Sequence, residues 1–225
     1  MRKFKSLFYL ACISSVMFTL LFTESGENIR DTELIVSKLA ELTNIPNTVT
    51  SVILGTRLFD TIGEVTVFTL AGLGVKILLH GEESEKELFG IKDTTVIQLL
   101  DLSALLCAFL AIELAIRGHL TPGGGFASGV SGATSITLLM ITGRVQKLED
   151  FYFKYNAIAI EKFAVIIFIA VSILSFQTLL NPTIFGLSLP QELLIPILNI
   201  IIALKVTFGT WSIIRLFILK RGLLN

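Results

Sequence analysis

The sequence predicts an all-α, polytopic integral membrane protein with about six transmembrane helices. Of its 225 residues, 53% are hydrophobic and only 16% are charged, against about 25% charged in an average soluble domain. Mean hydropathy is +0.80. The apolar residues gather into runs close to the roughly 20 residues that a helix needs to cross a hydrocarbon core. Eighteen basic residues balance eighteen acidic ones, so no bulk charge attracts a polyanion. A soluble globular domain, a disordered chain and a nucleic-acid binder are thereby excluded.

Six runs fit the length requirement: Lys5–Phe22, Asp60–Leu79, Ile97–Ile116, Phe126–Thr142, Ala157–Leu180 and Glu192–Leu219. Ahead of the first, Arg2, Lys3 and Lys5 resemble the basic start of a signal peptide. Thr23-Glu24-Ser25-Gly26 is a poor cleavage site, so the run reads as a retained span. Between the first two spans, Asp31 with Leu34, Ile35, Lys38, Leu39 and Leu42 reads as a short amphipathic helix capped by the acid and lying on the outer interface. The last run is longer than a crossing needs and should tilt, kink or project.

Basic residues sort cleanly on this map. Thirteen fall on one side, among them Arg2, Lys76, Lys92, Arg144, Lys162, Arg215 and Lys220. Four fall on the other, Arg30, Lys38, Arg57 and Arg117, and Lys205 lies inside a span. The excess of Lys and Arg in cytoplasmic loops then places a multi-pass protein in the cell membrane with both termini cytoplasmic.

The most charged stretch, Gly81–Gly90, divides the chain into residues 1–80, a cytoplasmic linker over 81–96, and residues 97–225. No metal or cofactor pattern appears. Cys12 and Cys107 sit inside apolar runs, and His80 and His119 form no ligand set. Sodium ions and protons enter only as transported ions.

Two motifs stand out. In Arg57-Leu58-Phe59-Asp60-Thr61-Ile62-Gly63-Glu64, the carboxylates of Asp60 and Glu64 are one turn apart on one helix face. A carboxylate inside the membrane edge is costly unless paired or hydrated. Asp60 is equally readable as a helix-entry acid held by Arg57; Glu64, deeper, reads as functional. The second motif is Arg117-Gly118-His119-Leu120-Thr121-Pro122-Gly123-Gly124-Gly125-Phe126. Pro122 stops helix continuation, and the glycines allow a sharp return or a close backbone approach. It lacks the Gly-Lys-Ser/Thr ending and the preceding strand of a phosphate-binding loop.

After it, Gly125, Gly129, Gly132 and Ala133 line one side of a span enclosed by protein. Further charges lie in or beside spans. Asp101 is readable as solvated near the cytoplasmic end, Glu113 with Arg117 as an i, i+4 pair, and Glu161 with Lys162 as a surface pair. Lys205 lies too deep to reach water and demands a carboxylate or a wet cavity.

The Arg57–Glu64 run, with Val67 and Ala71-Gly72-Leu73-Gly74, resembles the C-terminal tail of the large A subunit of Mrp-type cation/proton antiporters. The Arg117–Phe126 motif is similar to the signature of the Mrp B subunit. The resemblances span about Thr48–Leu79 and Ile97–Leu219. Their order resembles the small Mrp-like subunits of archaeal membrane-bound hydrogenases and sulfane sulfur reductases. Such a resemblance implies other Mrp-like membrane subunits, a peripheral redox module and the lipid bilayer as partners. It also implies a non-catalytic role in Na+/H+ exchange, with an ion path through Arg57, Asp60, Glu64, Glu113 and Lys205. Arg117, Gly118, His119, Pro122, Gly123, Gly124 and Gly125 form the structural motif. Asn199 departs from the pattern, standing where an acid is expected. A subunit of a free-standing antiporter and a non-conducting assembly subunit are the alternatives. A stand-alone membrane enzyme lacks an acid/base and nucleophile set.

Overall fold

A computed structural model describes residues 29–82, 90–180 and 190–221. The predicted span Lys5–Phe22 and most of the Gly81–Gly90 loop lie outside them. The chain divides into two compact units, Met1–Lys38 and Leu39–Asn225. Helix α1, Ile29–Thr43, begins in the first. Asp31 lies inside α1 and not ahead of it. Leu34 and Leu42 remain exposed.

The second unit continues with α2, Thr48–Ser51, and a π-turn, Val52–Thr56. Then come α3, Leu58–Leu78, and α4, Thr94–Arg117. α5, Gly124–Leu139, runs through a second π-turn into α6, Val145–Lys154. α7, Ala157–Leu180, and α8, Gln191–Arg221, complete it. Among the described residues, five helices are long and apolar enough to cross a membrane: α3, α4, the joined α5–α6, α7 and α8.

α8 is the axis of the bundle and α4 its rim. Of the apolar window of α8, 56% is buried, against 6% for α4. Ile195, Leu198, Ile202 and Val206 of α8 pack with Leu54, Leu58 and Val65 and with Phe168 of α7. Toward the other end, Trp211 and Ile218 gather with Met140, Val145 and Tyr152. α4 turns Leu99, Leu105, Phe109 and Leu110 outward, the apolar face that a bilayer or another membrane helix covers.

The glycine-lined span is enclosed, as its composition predicts. A Cβ added to Gly125 would overlap the Asn199 backbone oxygen, and one on Gly129 would overlap the Val206 side chain. The α5 and α8 backbones therefore touch. On another side of α5, Ser128, Ser131 and Ser135 donate to the α4 carbonyls of Ala111, Cys107 and Ala104 at 2.6, 2.8 and 2.7 Å. Interhelical hydrogen bonds of this kind satisfy hydroxyls that lipid could not.

The predicted fourth span, Phe126–Thr142, is too short. Gly143 takes φ 85°, the left-handed region open to glycine, and the chain bends there and continues as α6 instead of ending. α8 has 31 residues with Pro196 inside, a length of about 46 Å at the helical rise.

Charges hold the Arg144 end of the bundle. Arg144 clasps Asp101 through two bonds of 2.5 and 2.6 Å, so Asp101 is paired, not merely solvated. Arg215 pairs with Glu149, and Lys220 donates to the Glu82 carbonyl at 2.6 Å.

Candidate functional site

The opposite end is built around the α4–α5 hairpin. Gly123 and Gly124 take φ 143° and 79°, backbone that other residues adopt only under strain. This lets α5 start almost on top of the end of α4. Asn199 of α8 reaches into the join. Its Nδ2 donates to the last-turn carbonyls of Leu114 and Ala115 at 3.1 and 2.7 Å. Those carbonyls are left over at the helix end, and the amide satisfies them. Gly118 makes room, since a Cβ there would lie 2.7 Å from Nδ2.

Asn47 secures the hairpin from outside. Its Nδ2 donates to the Gly118 and Thr121 carbonyls at 2.8 and 2.7 Å, while its Oδ1 accepts from the Thr50 backbone at 3.3 Å. The Thr50 hydroxyl also donates to Gly118, at 2.8 Å.

Between α2, α3, the hairpin and α8 lies a cavity of about 230 Å³, lined among others by Thr50, Thr61, Glu64, Phe126 and Asn199. Glu64 is exposed and brings a carboxylate to the cavity. The Thr61 hydroxyl donates to the Ile53 carbonyl at 3.2 Å and keeps lone pairs free. The Asn199 Oδ1 is buried and has no hydrogen-bond partner among the described residues. A buried, unpartnered carbonyl oxygen costs free energy until water or a cation meets it. The lining residues thus carry a carboxylate, a hydroxyl and an amide, the hard oxygen groups that alkali and alkaline-earth cations take. Among the described residues, no group of three His, Cys, Asp or Glu side chains could hold a metal ion.

The other expected path residues are distributed. Arg57 pairs with Asp60 at 2.8 Å, both sides exposed, at the entrance to α3. Glu113 pairs with Arg117 at 3.4 Å on the exposed face of α4, apart from the Glu64 cavity. Lys205 is 1% exposed and meets Glu161 at 2.8 Å. Glu161 is therefore not half of a surface pair with Lys162; it turns inward and neutralises the cation in mid-bundle. Glu161 lines a second cavity, of about 400 Å³, with Thr69, Gly72, Lys76 and Lys162. Sequence reasoning missed the partnership of Glu161, and also Asn47 and Thr50. For Asn47 a signal existed: Asn after Pro46, followed by Thr48, is a helix-start pattern.

Residues 95–212 match a family model described as a domain related to the MnhB subunit of Na+/H+ antiporters. The chain belongs to this family. The MnhB-related region runs from the first turn of α4 into α8, and so contains the hairpin, Asn199 and the Glu161–Lys205 pair but not Glu64. A chain in the solved membrane-bound sulfane sulfur reductase, an archaeal respiratory membrane complex, is 24% identical. It matches over 96% of this chain and 97% of its own length with a TM-score of 0.63, a likeness of fold. No curated protein matches.

Proposed function

We propose that this MnhB-related protein is a membrane subunit of a multi-subunit ion-translocating complex and contributes to Na+/H+ exchange. The observation that carries this reading is the cavity at the hairpin. There Glu64 and Asn199, whose Oδ1 has no hydrogen-bond partner among the described residues, line one space. A carboxylate beside neutral oxygens presents the hard donors that a sodium ion takes, and a proton competes for the same carboxylate oxygens. Arg57 and Asp60, an exposed pair at the same end of α3 as Glu64, are read as the approach to it, on the outer side in the orientation that the basic residues favour.

In this reading residues 1–80 act as the tail-like piece of an A subunit joined to the B-like region over 97–225. The host is a respiratory complex of the membrane-bound hydrogenase or sulfane sulfur reductase type, whose peripheral redox module supplies the energy. The exposed apolar face of α4, with Glu113 and Arg117 on it, is then the surface for other Mrp-like membrane subunits, and docking is the part these two charges play.

Mild-detergent purification of the tagged chain tests the partners, and reconstitution of what co-purifies tests the activity. Vesicles holding the complex should acidify or alkalinise on a sodium gradient, and iron–sulfur content should accompany the chain. A chain that purifies alone, or a complex that moves no protons in response to sodium, contradicts the proposal. A second reading, a non-conducting assembly subunit, is favoured by the exposed pairs Arg57–Asp60 and Glu113–Arg117. It predicts that neutralising Glu64 leaves exchange intact.

A further inference from the structure

We infer that Glu161 is a proton-binding site of its own, held by Lys205 and reached from the cavity at the Lys76 end, with Phe68 and Phe126 linking it to the lining of the Glu64 cavity. This rests on the exchange reading above for its purpose, but not for its chemistry.

The two cavities share no lining residue. α3 serves both, giving Thr61 and Glu64 to one and Thr69, Gly72 and Lys76 to the other. Between those groups on the same helix stands Phe68, one turn below Glu64. Its ring lies 6.4 Å from that of Phe126, edge to face at 79°, and Phe126 lines the Glu64 cavity. Lys205 Nζ lies over the Phe68 ring, 4.6 Å from its centroid. The buried ion pair therefore lies against the Phe68 ring, which in turn packs on Phe126 of the other cavity's lining.

The pair itself is asymmetric. The Lys205 side chain is 1% exposed and that of Glu161 is 18% exposed. Only Glu161 lines the second cavity, so a proton arriving through that space meets the carboxylate first. Gly209 is part of the device. A Cβ there would lie 2.6 Å from Phe68, 3.1 Å from Nζ and 3.2 Å from the Glu161 oxygen. The glycine leaves the space in which ring, ammonium and carboxylate meet.

A buried ion pair is held by its mutual attraction against the loss of water on both members. A proton taken up by the Glu161 carboxylate removes the anion and leaves the Lys205 ammonium with the face of Phe68 as its remaining partner, a weaker one. Movement of the ammonium or of the ring then follows, and either disturbs the packing of Phe68 on Phe126. The charges facing Glu161 are Lys205 from α8, its neighbour Lys162 on α7 and Lys76 from α3; Tyr152 of α6, bonded to Ser212 at 3.1 Å, is the titratable group on the fourth packed element. Glu64 and Glu161 then give one protonatable carboxylate at each cavity.

The test uses the whole complex and two readouts. Difference infrared spectra on acidification should show a protonated carboxylic acid band that Glu161→Gln removes. In reconstituted vesicles, exchange should fall at least tenfold in the same variant. If Glu161→Gln strands the Lys205 charge and prevents assembly, the double variant Glu161→Gln/Lys205→Met removes both charges, and the same two losses are expected from it. A band that survives in the variants, or exchange that survives in them, overturns the inference. Should the unaltered complex exchange no sodium for protons, the functional proposal falls, and the infrared band alone then decides the fate of Glu161.

Discussion

An amide at position 199 donates to two carbonyls that a carboxylate would repel. The acid expected there from the B-subunit resemblance would face the same two oxygens without a proton to offer. Asn199→Asp should therefore destabilise the hairpin by about 1–3 kcal/mol. The loss should be greatest at high pH, where the new carboxyl is charged, and should ease as the pH falls and it takes a proton. Thermal melting of the purified complex across a pH series checks both the size and the sign. Lys205 obeys the same logic with a different partner. Removing Glu161 entirely, as in Glu161→Ala, leaves a buried cation and should cost about 3–5 kcal/mol, readable as lost yield of assembled complex.

Along the elements, α5 carries two different seams on one helix. Its glycines admit the α8 backbone, and its serines bond to α4. Gly129→Leu should block assembly, because the new side chain starts inside the volume of Val206 in a helix that cannot retreat. Gly63→Ala should be tolerated, since no atom lies within 4 Å of the added carbon, with a gain or loss within about 1 kcal/mol. Yield of folded protein in mild detergent separates the two. The glycine seam was legible from spacing alone, because residues four apart share a helix face. The serine seam was not, because serine is equally common on wet faces and only the presence of α4 gives those hydroxyls a use. The bend at Gly143 was hidden for a similar reason: a single glycine after an apolar run reads as a helix end, and the continuation depends on how α6 packs under Trp211. Lys205 announced that it needed a carboxylate. Its sequence distance of 44 residues from Glu161 left the choice of carboxylate to the tertiary packing.

For the whole molecule, the bundle has chemically different ends. Arg144, Arg215 and Lys220 gather at one, and Arg57 and Arg117 lie toward the other, where Asn47 binds the hairpin. If the first end is cytoplasmic, reporter fusions at Asn225 and within Gly81–Gly90 should both read cytoplasmic. An external signal at either position would reverse the map. The all-helical architecture and the long spans were legible in composition and periodicity. The two cavities were not, since each draws on three or more helices distant in sequence. In that orientation the Glu64 cavity would open toward the outside and the Glu161 cavity toward the cytoplasm.

The most direct measurement of the proposed role is the sodium dependence of proton exchange in vesicles holding the complex, comparing the unaltered chain with Glu64→Gln. The substitution keeps the side-chain shape, and Glu64 has no ion-pair partner among the described residues that assembly would lose. Subunit composition should therefore be unchanged, while exchange at saturating sodium falls by about tenfold or more, equivalent to a loss of about 1.4 kcal/mol or more in the rate-limiting step. An assembled Glu64→Gln complex that exchanges sodium for protons at the unaltered rate over a range of pH would contradict the account.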